Sequence, residues 1–379
     1  MKIVIAPDSF KGSLTAREAA QSIESGILRV LPEAECVSIP MADGGEGTVQ
    51  SLVDATGGRI MRVLVTDPLG HPTNAEYGIL GDGRTAVIEM AAASGIQYID
   101  ETTRNPLIAT TYGTGELIKD ALEQGVSDII VGLGGSATND GGAGMAQALG
   151  VRLLDDNGAP LPFGGAALAE LSEVDVSGLD PRLADVRIRL ASDVTNPLTG
   201  VRGASAVFGP QKGATPDMVE RLDDALAHYA AVIRKQLGRE VETVPGAGAA
   251  GGLGAGFLAF TEASMRSGVD LVIEATGLAG LAAGADYCFT GEGGIDFQTQ
   301  YGKTPMGVAR AVKQASPYCT VVALAGSIGE GIDQLYDLRI DAIFGIMPGV
   351  STMRDAVDHA ADNLARTAEN VARLLARNL

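Results

Sequence analysis

The chain has no tryptophan and few aromatic, basic, histidine or cysteine residues. Aromatic side chains make up 4% of its 379 residues, which leaves no platforms on which the bases of a single-stranded nucleic acid could stack. Its 28 Lys and Arg against 47 Asp and Glu give a net charge of −19, and this charge opposes binding to DNA, RNA or an anionic membrane. We therefore expect neither a nucleic acid nor a membrane among its partners.

The histidines and cysteines are too scattered to form a metal-binding or catalytic motif. His71, His228 and His359 lack the spacing of zinc ligands, so zinc chemistry and Ser-His catalysis are not expected. Cys36 and Cys319 lie in apolar, strand-like runs, which is typical of buried thiols in a reducing compartment.

Long hydrophobic runs are also lacking. The apolar run at the N-terminus is too short for a signal peptide, and Asp8 follows it directly. The longest uncharged stretch, residues 243–261, is repeatedly interrupted by glycine and does not resemble a membrane span. These features predict a cytoplasmic protein.

Glycine, by contrast, is abundant, with 51 residues. Residues 132–144 are rich in glycine, follow an apolar run and precede an Ala/Leu-rich segment, which predicts the order strand, tight loop, helix. Amides and the dipole at a helix N-terminus attract anions. The loop is either a phosphate cradle, with Ser136, Thr138 and Asn139 as further donors, or a turn that closes a βα unit. Asp140 could hold a metal or cap the helix.

The pattern of strands and helices differs between the ends and the middle of the chain. Both ends alternate strand and helix, whereas the segment after residue 59 predicts long strands in antiparallel hairpins. We therefore predict an α/β fold in which residues 1–58 and 284–379 form a doubly wound, parallel, flavodoxin-like sheet. A second, mixed α/β domain is inserted at residues 59–283.

The second half of the chain contains further predicted helices. One helix is expected over residues 256–267. The other begins near Met353 and places Val357 and Ala361 on its buried face, together with apolar residues further along the helix.

Polar, glycine-containing segments follow several predicted strands, and their convergence in one cleft would suit phosphoryl transfer. Lys11 could meet a carboxylate or phosphate, or be a solvated surface lysine. Asp193 could accept the proton of a substrate hydroxyl, or cap its own turn. Lys212 could reach a phosphate, or lie in a surface turn.

Two glycine motifs match nucleotide-binding patterns only in part. Residues 302–304 read Gly-Lys-Thr like the end of a P-loop, but Phe297 stands where its first glycine belongs. Residues 246–251 have the spacing of a dinucleotide fingerprint, but Pro245 precedes them where a strand should end.

Taken together, these segments resemble the bacterial glycerate kinase family of acid-sugar catabolism. The matching blocks occur in the family's order and without a departure from its pattern. They are residues 6–13, 41–48, 134–142, 192–198, 208–213 and 290–296.

The resemblance implies phosphorylation of D-glycerate by ATP with Mg²⁺, with 2-phosphoglycerate the favoured product, in a monomer or homodimer. Roles then follow from the chemistry of each side chain. Lys11 and Asp193 are the predicted catalytic residues. The predicted nucleotide-binding residues are Gly134, Gly135, Ser136, Thr138, Asn139 and Lys212. The predicted substrate-binding residues are Asp8, Ser9, Asp43 and Gly44, and the predicted metal ligands are Glu292 and Asp296.

Three other functions remain open at this stage. The chain could be a kinase of another small hydroxy acid, or a ligand-binding regulator with the same fold and no turnover. A dehydrogenase that uses the glycines of residues 246–251 is the third alternative.

Overall fold

The computed structural model describes residues 1–378 and divides into two compact units. Unit 1 contains Met1–Asp43, Gln50–Gly58 and the described residues from Ser267 onward. Unit 2 contains Gly44–Val49 and Arg59–Arg266. Among the helices within residues 1–378, none has the length and apolar character needed to cross a bilayer.

The elements are numbered along the chain. The strands are β1 Lys2–Pro7, β2 Glu35–Ser38, β3 Arg59–Thr66, β4 Pro72–Ile79, β5 Thr85–Glu89, β6 Asp128–Gly132, β7 Arg152–Leu154, β8 Glu173–Asp175, β9 Arg187–Ala191, β10 Ser264–Arg266, β11 Tyr287–Ile295, β12 Thr320–Ile328 and β13 Ala342–Gly345. The α-helices are α1 Ala16–Leu28, α2 Thr48–Thr56, α3 Ala91–Ser94, α4 Tyr112–Glu123, α5 Ala143–Ala148, α6 Ala204–Phe208, α7 Pro216–Leu237, α8 Ala249–Phe260, α9 Gly268–Thr276, α10 Leu278–Leu281, α11 Thr304–Ala315, α12 Asp333–Asp337, α13 Met353–Asp358 and α14 Ala360–Leu375.

Unit 1 is built on a five-stranded parallel sheet with the order β13-β12-β11-β1-β2. Counted within the unit, this is the 2-1-3-4-5 order of flavodoxin-like folds, as predicted. The strand order reverses at the neighbouring pair β1 and β11. Ligands of such sheets bind outside the carboxyl ends of the strands at this reversal, which directs attention to Asp8 and Glu292.

Helices α1 and α14 pack together on this sheet. A capping box of Thr15 and Glu18 starts α1, and its Ile23 and Ile27 are fully buried with Leu364 of α14. The prediction of one continuous terminal helix was wrong, because the chain turns at His359 and separates α13 from α14.

The prediction of the buried face was therefore wrong for the first residues of the terminal helix. Val357 and Ala361 are exposed, and the buried face begins with Ala360 and continues through Leu364 and Ala368. The turn at His359 changes the phase of the helical repeat, so the spacing cannot be carried across it.

Unit 2 contains a mixed six-stranded sheet with the order β10-β9-β6-β5-β4-β3. The pairs β3-β4 and β4-β5 are antiparallel, as the hairpin signals predicted, and the remaining neighbours are parallel. Strands β5, β6 and β9 therefore end at the same edge. The loops that follow them contain Gly134 and Asp193.

The structure differs from the prediction in two places near the junction with unit 1. The helix expected over residues 256–267 begins earlier, at Ala249, and its last part is instead strand β10. Unit 1 resumes at Ser267, before the predicted residue 284, because α9 packs against α11. Val269 lies against Gly307, where an added Cβ would come within 2.4 Å of it.

All three cysteines are free thiols. Cys288 and Cys319 are buried, whereas Cys36 is only partly buried. Burial raises the pKa of each thiol, so the thiols are poor nucleophiles and none is a candidate for covalent catalysis.

Candidate active site

In unit 1, Asp8 directly follows β1 at the reversal in strand order. Its backbone amide donates to the Gly291 carbonyl at 2.8 Å, which fixes it beside β11. The Ser9 amide donates to Asp8 Oδ1 at 2.6 Å, and the Thr304 hydroxyl donates to Asp8 Oδ2. These bonds hold the carboxylate in one orientation at the carboxyl edge of the sheet.

Glu292, within the adjacent strand β11, is held by residues at and before the start of α11. The Thr299 hydroxyl donates to Glu292 Oε1 at 3.2 Å. Lys303 Nζ lies 3.7 Å from Glu292 Oε2. The segment before α11 therefore supplies a cation and a hydroxyl to the same edge at which Asp8 lies.

Asp8, Asp43 and Glu292 form a cluster of like charges. The pKa of Asp8 is raised to about 6, mainly by burial and in part by the charge of Asp43, while the hydrogen bond from Thr304 opposes the shift. Burial also raises the pKa of Glu292 to about 7, with Lys303 opposing and Asp8 and Asp43 adding to the shift. Close carboxylates that repel one another attract a cation, and perturbed groups of this kind concentrate at functional sites.

The loop of Lys11 lies against β11 in the same unit. A Cβ added at Gly293 would lie 3.3 Å from the Lys11 amide nitrogen, so the absence of a side chain there allows the close approach. The Lys11 side chain is exposed. The structure thus brings Lys11 to the strand that carries Glu292.

Asp296 has a different local role. Its side chain accepts from the Gln298 amide at 2.8 Å and caps the turn Phe297–Tyr301. Within residues 1–378, no group of three or more His, Cys, Asp or Glu side chains is arranged to hold a metal. Magnesium needs only one or two protein carboxylates when phosphates and water complete its shell, so the metal ligands Glu292 and Asp296 stay predictions.

In unit 2, the loop after β6 has an exposed tip. Gly134 and Gly135 are exposed, and Ser136 lies beneath them at 7% exposure. The Ile96 amide donates to the Gly135 carbonyl at 2.8 Å. Among residues 1–378, the amides of Gly134, Gly135 and Ser136 find no hydrogen-bond acceptor. Three neighbouring amides in this state form the kind of nest that binds phosphate oxygens.

The rest of the loop is not a phosphate cradle, which corrects the prediction. Asp140 is fully buried; its Oδ1 accepts from the Gly142 amide at 3.1 Å and its Oδ2 from the Gly144 amide at 3.2 Å. Its Oδ2 also accepts from the amide and the hydroxyl of Thr111, both at 2.8 Å. The start of α5 is therefore occupied by a carboxylate of the chain itself, which is the capping alternative for Asp140.

Thr138, Asn139 and Lys212 are also not presented to a nucleotide. Thr138 and Asn139 have no exposed surface, and Lys212 is 1% exposed. Asn139 Nδ2 donates to Ser205 Oγ at 2.9 Å, and Lys212 Nζ donates to the Thr138 carbonyl at 2.6 Å. The sequence pattern identified a polar loop but gave no sign that most of it faces inward.

The glycines of residues 246–256 explain this burial. A Cβ at Gly251 would lie 1.9 Å from the Thr138 carbonyl oxygen, and one at Gly256 would lie 2.7 Å from the Gly141 carbonyl oxygen. The Gly141 amide donates to the Gly251 carbonyl at 3.0 Å. Gly251 and Gly256 therefore pack against the loop's backbone. Gly248 packs against the Pro197 carbonyl, where an added Cβ would lie 2.2 Å from the oxygen, so the spacing of these glycines is explained by packing within the unit.

Asp193 and Gly44 lie near the exposed tip within unit 2. Asp193 is exposed two residues after β9, whose last residue, Ala191, pairs with Gly132 of β6. Gly44 is buried, and its carbonyl oxygen would be 2.6 Å from a Cβ at Gly132. Gly44 therefore packs beneath the loop, whereas Asp193 and Gly134 follow neighbouring strands at one edge.

A family model described as the glycerate kinase family matches residues 3–376. This chain belongs to the glycerate kinase family. It is 55% identical to a glycerate kinase of Bacillus subtilis strain 168, over 98% of this chain and 97% of that protein. It is 51% identical to a glycerate 2-kinase of Escherichia coli K12, over 99% and 98% of the two chains.

A solved structure supports the same membership. The crystal structure described as a glycerate kinase 2 of Salmonella typhimurium LT2 has a TM-score of 0.92 to this chain at 51% identity. The match covers 100% of this chain and 99% of that one. The predicted family and fold class are thus confirmed.

Sequence reasoning missed Lys303 and Thr304 as site residues of this family member. They were set aside because the P-loop spacing fails at Phe297. In the structure they lie at the start of α11, against Glu292 and Asp8. The signal that could have found them was their position after a predicted strand and before a predicted helix, rather than the spacing of the motif.

Proposed function

We propose that this protein transfers the γ-phosphoryl group of ATP to D-glycerate, with 2-phosphoglycerate as the favoured product. The observation that carries the proposal is the match over nearly the whole chain to curated glycerate kinases, one of them described as a glycerate 2-kinase. The proposal keeps the cytoplasmic location and the monomeric or homodimeric state expected from the sequence.

The nucleotide phosphates are assigned to the tip of the loop after β6. Gly134, Gly135 and Ser136 offer three amides without acceptors, and such amides stabilise the charge that builds up on phosphoryl oxygens during transfer. Thr138, Asn139 and Lys212 are left out of the binding set because they are buried.

The glycerate carboxylate is assigned to Lys11, with Asp8, Ser9 and Asp43 around it. A carboxylate substrate needs a cation close by, since the acidic cluster alone would repel it. Lys11 supplies that cation from a loop that packs against β11. Lys303, already paired with Glu292, is assigned to the transferring phosphoryl group.

Asp193 is assigned to the acceptor hydroxyl. It is exposed and follows the strand next to the one that carries Gly134, which suits a group that orients the attacking oxygen. The glycerate oxygen forms a bond to the γ-phosphorus while the bond from that phosphorus to the oxygen of ADP breaks. The hydroxyl proton passes to the Asp193 carboxylate and then to water, with no covalent enzyme intermediate.

Magnesium is part of the proposal because the donor set fits it. Asp8 and Glu292 are a pair of oxygen donors whose charges repel each other, and a divalent cation would relieve that repulsion. When bound, it would neutralise charge on the nucleotide phosphates.

The proposal is tested by measuring ADP release with ATP, Mg²⁺ and a panel of acceptors. D-glycerate should give the highest kcat/KM, ahead of lactate, tartronate and glycerol. A preference for lactate or tartronate would make the protein a kinase of another hydroxy acid. A preference for glycerol would remove the role of Lys11. No ADP release by protein that still binds nucleotide would favour a regulator without turnover.

A further inference from the structure

Lys212 is the most deeply buried cation described in the chain, and the reaction as proposed does not use it. It ends the short turn Pro210–Lys212, and its backbone amide donates to the Gly209 carbonyl at 2.9 Å. Its side chain is 1% exposed. Lysine is almost never buried to this degree without a specific partner, so its position needs an explanation.

Its partners lie in the loop after β6. Lys212 Nζ donates to the Thr138 carbonyl at 2.6 Å. The Asp140 carboxylate, two residues further on, favours the charged form of Lys212, although burial lowers the pKa of the ammonium group to about 7. Lys212 therefore contacts the backbone just before Asp140, and Asp140 holds the amides of Gly142 and Gly144 just after itself.

The buried side of the loop is also held by Asn139 Nδ2, which donates to Ser205 Oγ, and by Asp140, which accepts from Thr111. Thr138 Oγ1, Asn139 Oδ1 and Tyr229 Oη are buried atoms without a hydrogen-bond partner among the described residues. On the opposite side of the segment, the Ala137 amide donates to the Ser94 carbonyl at 3.0 Å. Lys212 is thus the cation that holds the Thr138 carbonyl from within, beside the contacts made by Asn139 and Asp140.

We propose that Lys212 is a positioning residue that holds the Thr138 carbonyl and thereby fixes the orientation of the exposed amides at Gly134, Gly135 and Ser136. The inference rests on the proposed function of those amides. Lys212 acts through the loop and does not touch the nucleotide. Small displacements of positioning groups have large effects on phosphoryl transfer, because catalysis there consists mainly of orientation and charge stabilisation.

The test compares the purified full-length protein with Lys212→Met, which keeps the length of the side chain and removes its donors and charge. We expect the KM for ATP to rise and kcat to fall, each by roughly tenfold, with the KM for D-glycerate within about twofold of wild type. Hydrogen exchange should become faster at the amides of Ala137 and Gly141. This exchange measurement does not depend on turnover, so it separates failure of this inference from failure of the proposed function.

Two further variants separate positioning from general loss of stability. Ile233→Ala removes a fully buried side chain from the core cluster that also contains Tyr229 and should lower Tm without changing either kinetic constant. Lys212→Met combined with Asp140→Asn removes both charges. It should keep the low kcat of Lys212→Met, because the Thr138 carbonyl still lacks its donor. Wild-type constants and exchange rates in folded Lys212→Met, or kcat restored in the double variant, would overturn the inference.

Discussion

Asp8 is a residue whose placement costs stability in the folded protein. Its pKa is raised to about 6 by burial and by the charge of Asp43, against about 3.9 in an unfolded chain. Between these values the folded state retains a proton that the unfolded chain has lost, so stability falls as pH rises through this window. At pH 8 the full cost is present, which is typical of groups kept for function rather than for folding.

Asp8→Asn should therefore stabilise the protein while impairing its activity. In metal-free buffer at pH 8 we expect the free energy of unfolding to rise by about 1 to 3 kcal/mol. Below about pH 4, where Asp8 is protonated in both states, the gain should disappear. Urea unfolding at the two pH values measures this.

A suitable control is Asp175→Asn. Bonds from Ser177 hold the pKa of Asp175 below its usual range, so its loss should lower stability at pH 8. A loss of stability at pH 8 for Asp8→Asn would show that the ionised Asp8 carboxylate does not destabilise the folded protein.

Asp193 provides a test of the acceptor role. Asp193→Asn keeps the shape of the side chain but removes the proton acceptor, so kcat should fall by roughly 10²- to 10⁴-fold. The Kd for ATP should stay within about threefold of wild type, since the amides that bind phosphate are untouched. Steady-state kinetics and calorimetric nucleotide binding together measure both quantities.

The matched control for Asp193 lies at the other end of the same strand. Asp185 is exposed before the start of β9, away from the carboxyl edge, and Asp185→Asn should behave as wild type. Unchanged kcat in Asp193→Asn would return Asp193 to a turn-capping role.

At the level of elements, α8 and the loop after β6 depend on each other. Ala250, Gly251 and Gly252 adopt left-handed backbone conformations inside α8, with φ values of 53°, 69° and 90°. An alanine in this conformation is strained, and it persists because the segment packs backbone to backbone against residues 138–142. Gly251 and Gly252 therefore allow the backbone of α8 to pack directly against the backbone of the loop.

Gly251→Ala and Gly238→Ala separate two contributions to the free energy of unfolding: the strain of an alanine with a positive φ, and the displacement of the loop by an added Cβ. Both positions have a positive φ, but a Cβ at Gly238 meets nothing within 4 Å, whereas one at Gly251 meets the Thr138 carbonyl at 1.9 Å. Gly238→Ala should cost about 1 kcal/mol of stability from the backbone alone. Gly251→Ala should cost about 3 kcal/mol or more, because the loop must also move. Chemical denaturation measures both.

The loop displacement in Gly251→Ala should also be visible in the kinetics. We expect the KM for ATP to rise in the folded fraction of Gly251→Ala and to stay unchanged in Gly238→Ala. Equal stability losses in the two variants would mean that the close approach at Thr138 does not constrain the loop.

For the whole molecule, the sequence predicted the architecture well because its signals are local and repeated. The capping box at Thr15 and the alternation of strand and helix at both ends were sufficient for the parallel sheet of unit 1. The hairpin signals near Pro68 and Asp82 were sufficient for the antiparallel part of unit 2.

The site was less predictable, because burial depends on contacts between distant parts of the chain. Nothing near Lys212 indicates that its ammonium ends on Thr138, 74 residues away in sequence. The importance of Thr304 depends on Asp8, 296 residues earlier. Side-chain types identified the segments, but only the packed structure separates the groups that face outward from those that hold the loop in place.

Phosphorylation of D-glycerate at its C2 hydroxyl can be followed through the identity of the product. The assay supplies ATP, Mg²⁺ and D-glycerate together with enolase and follows phosphoenolpyruvate, since enolase accepts 2-phosphoglycerate and not the 3-isomer. We expect a signal with enolase alone, and no increase in rate when phosphoglycerate mutase is added. A signal that appears only when the mutase is present would show that the product is 3-phosphoglycerate and would overturn the proposed function.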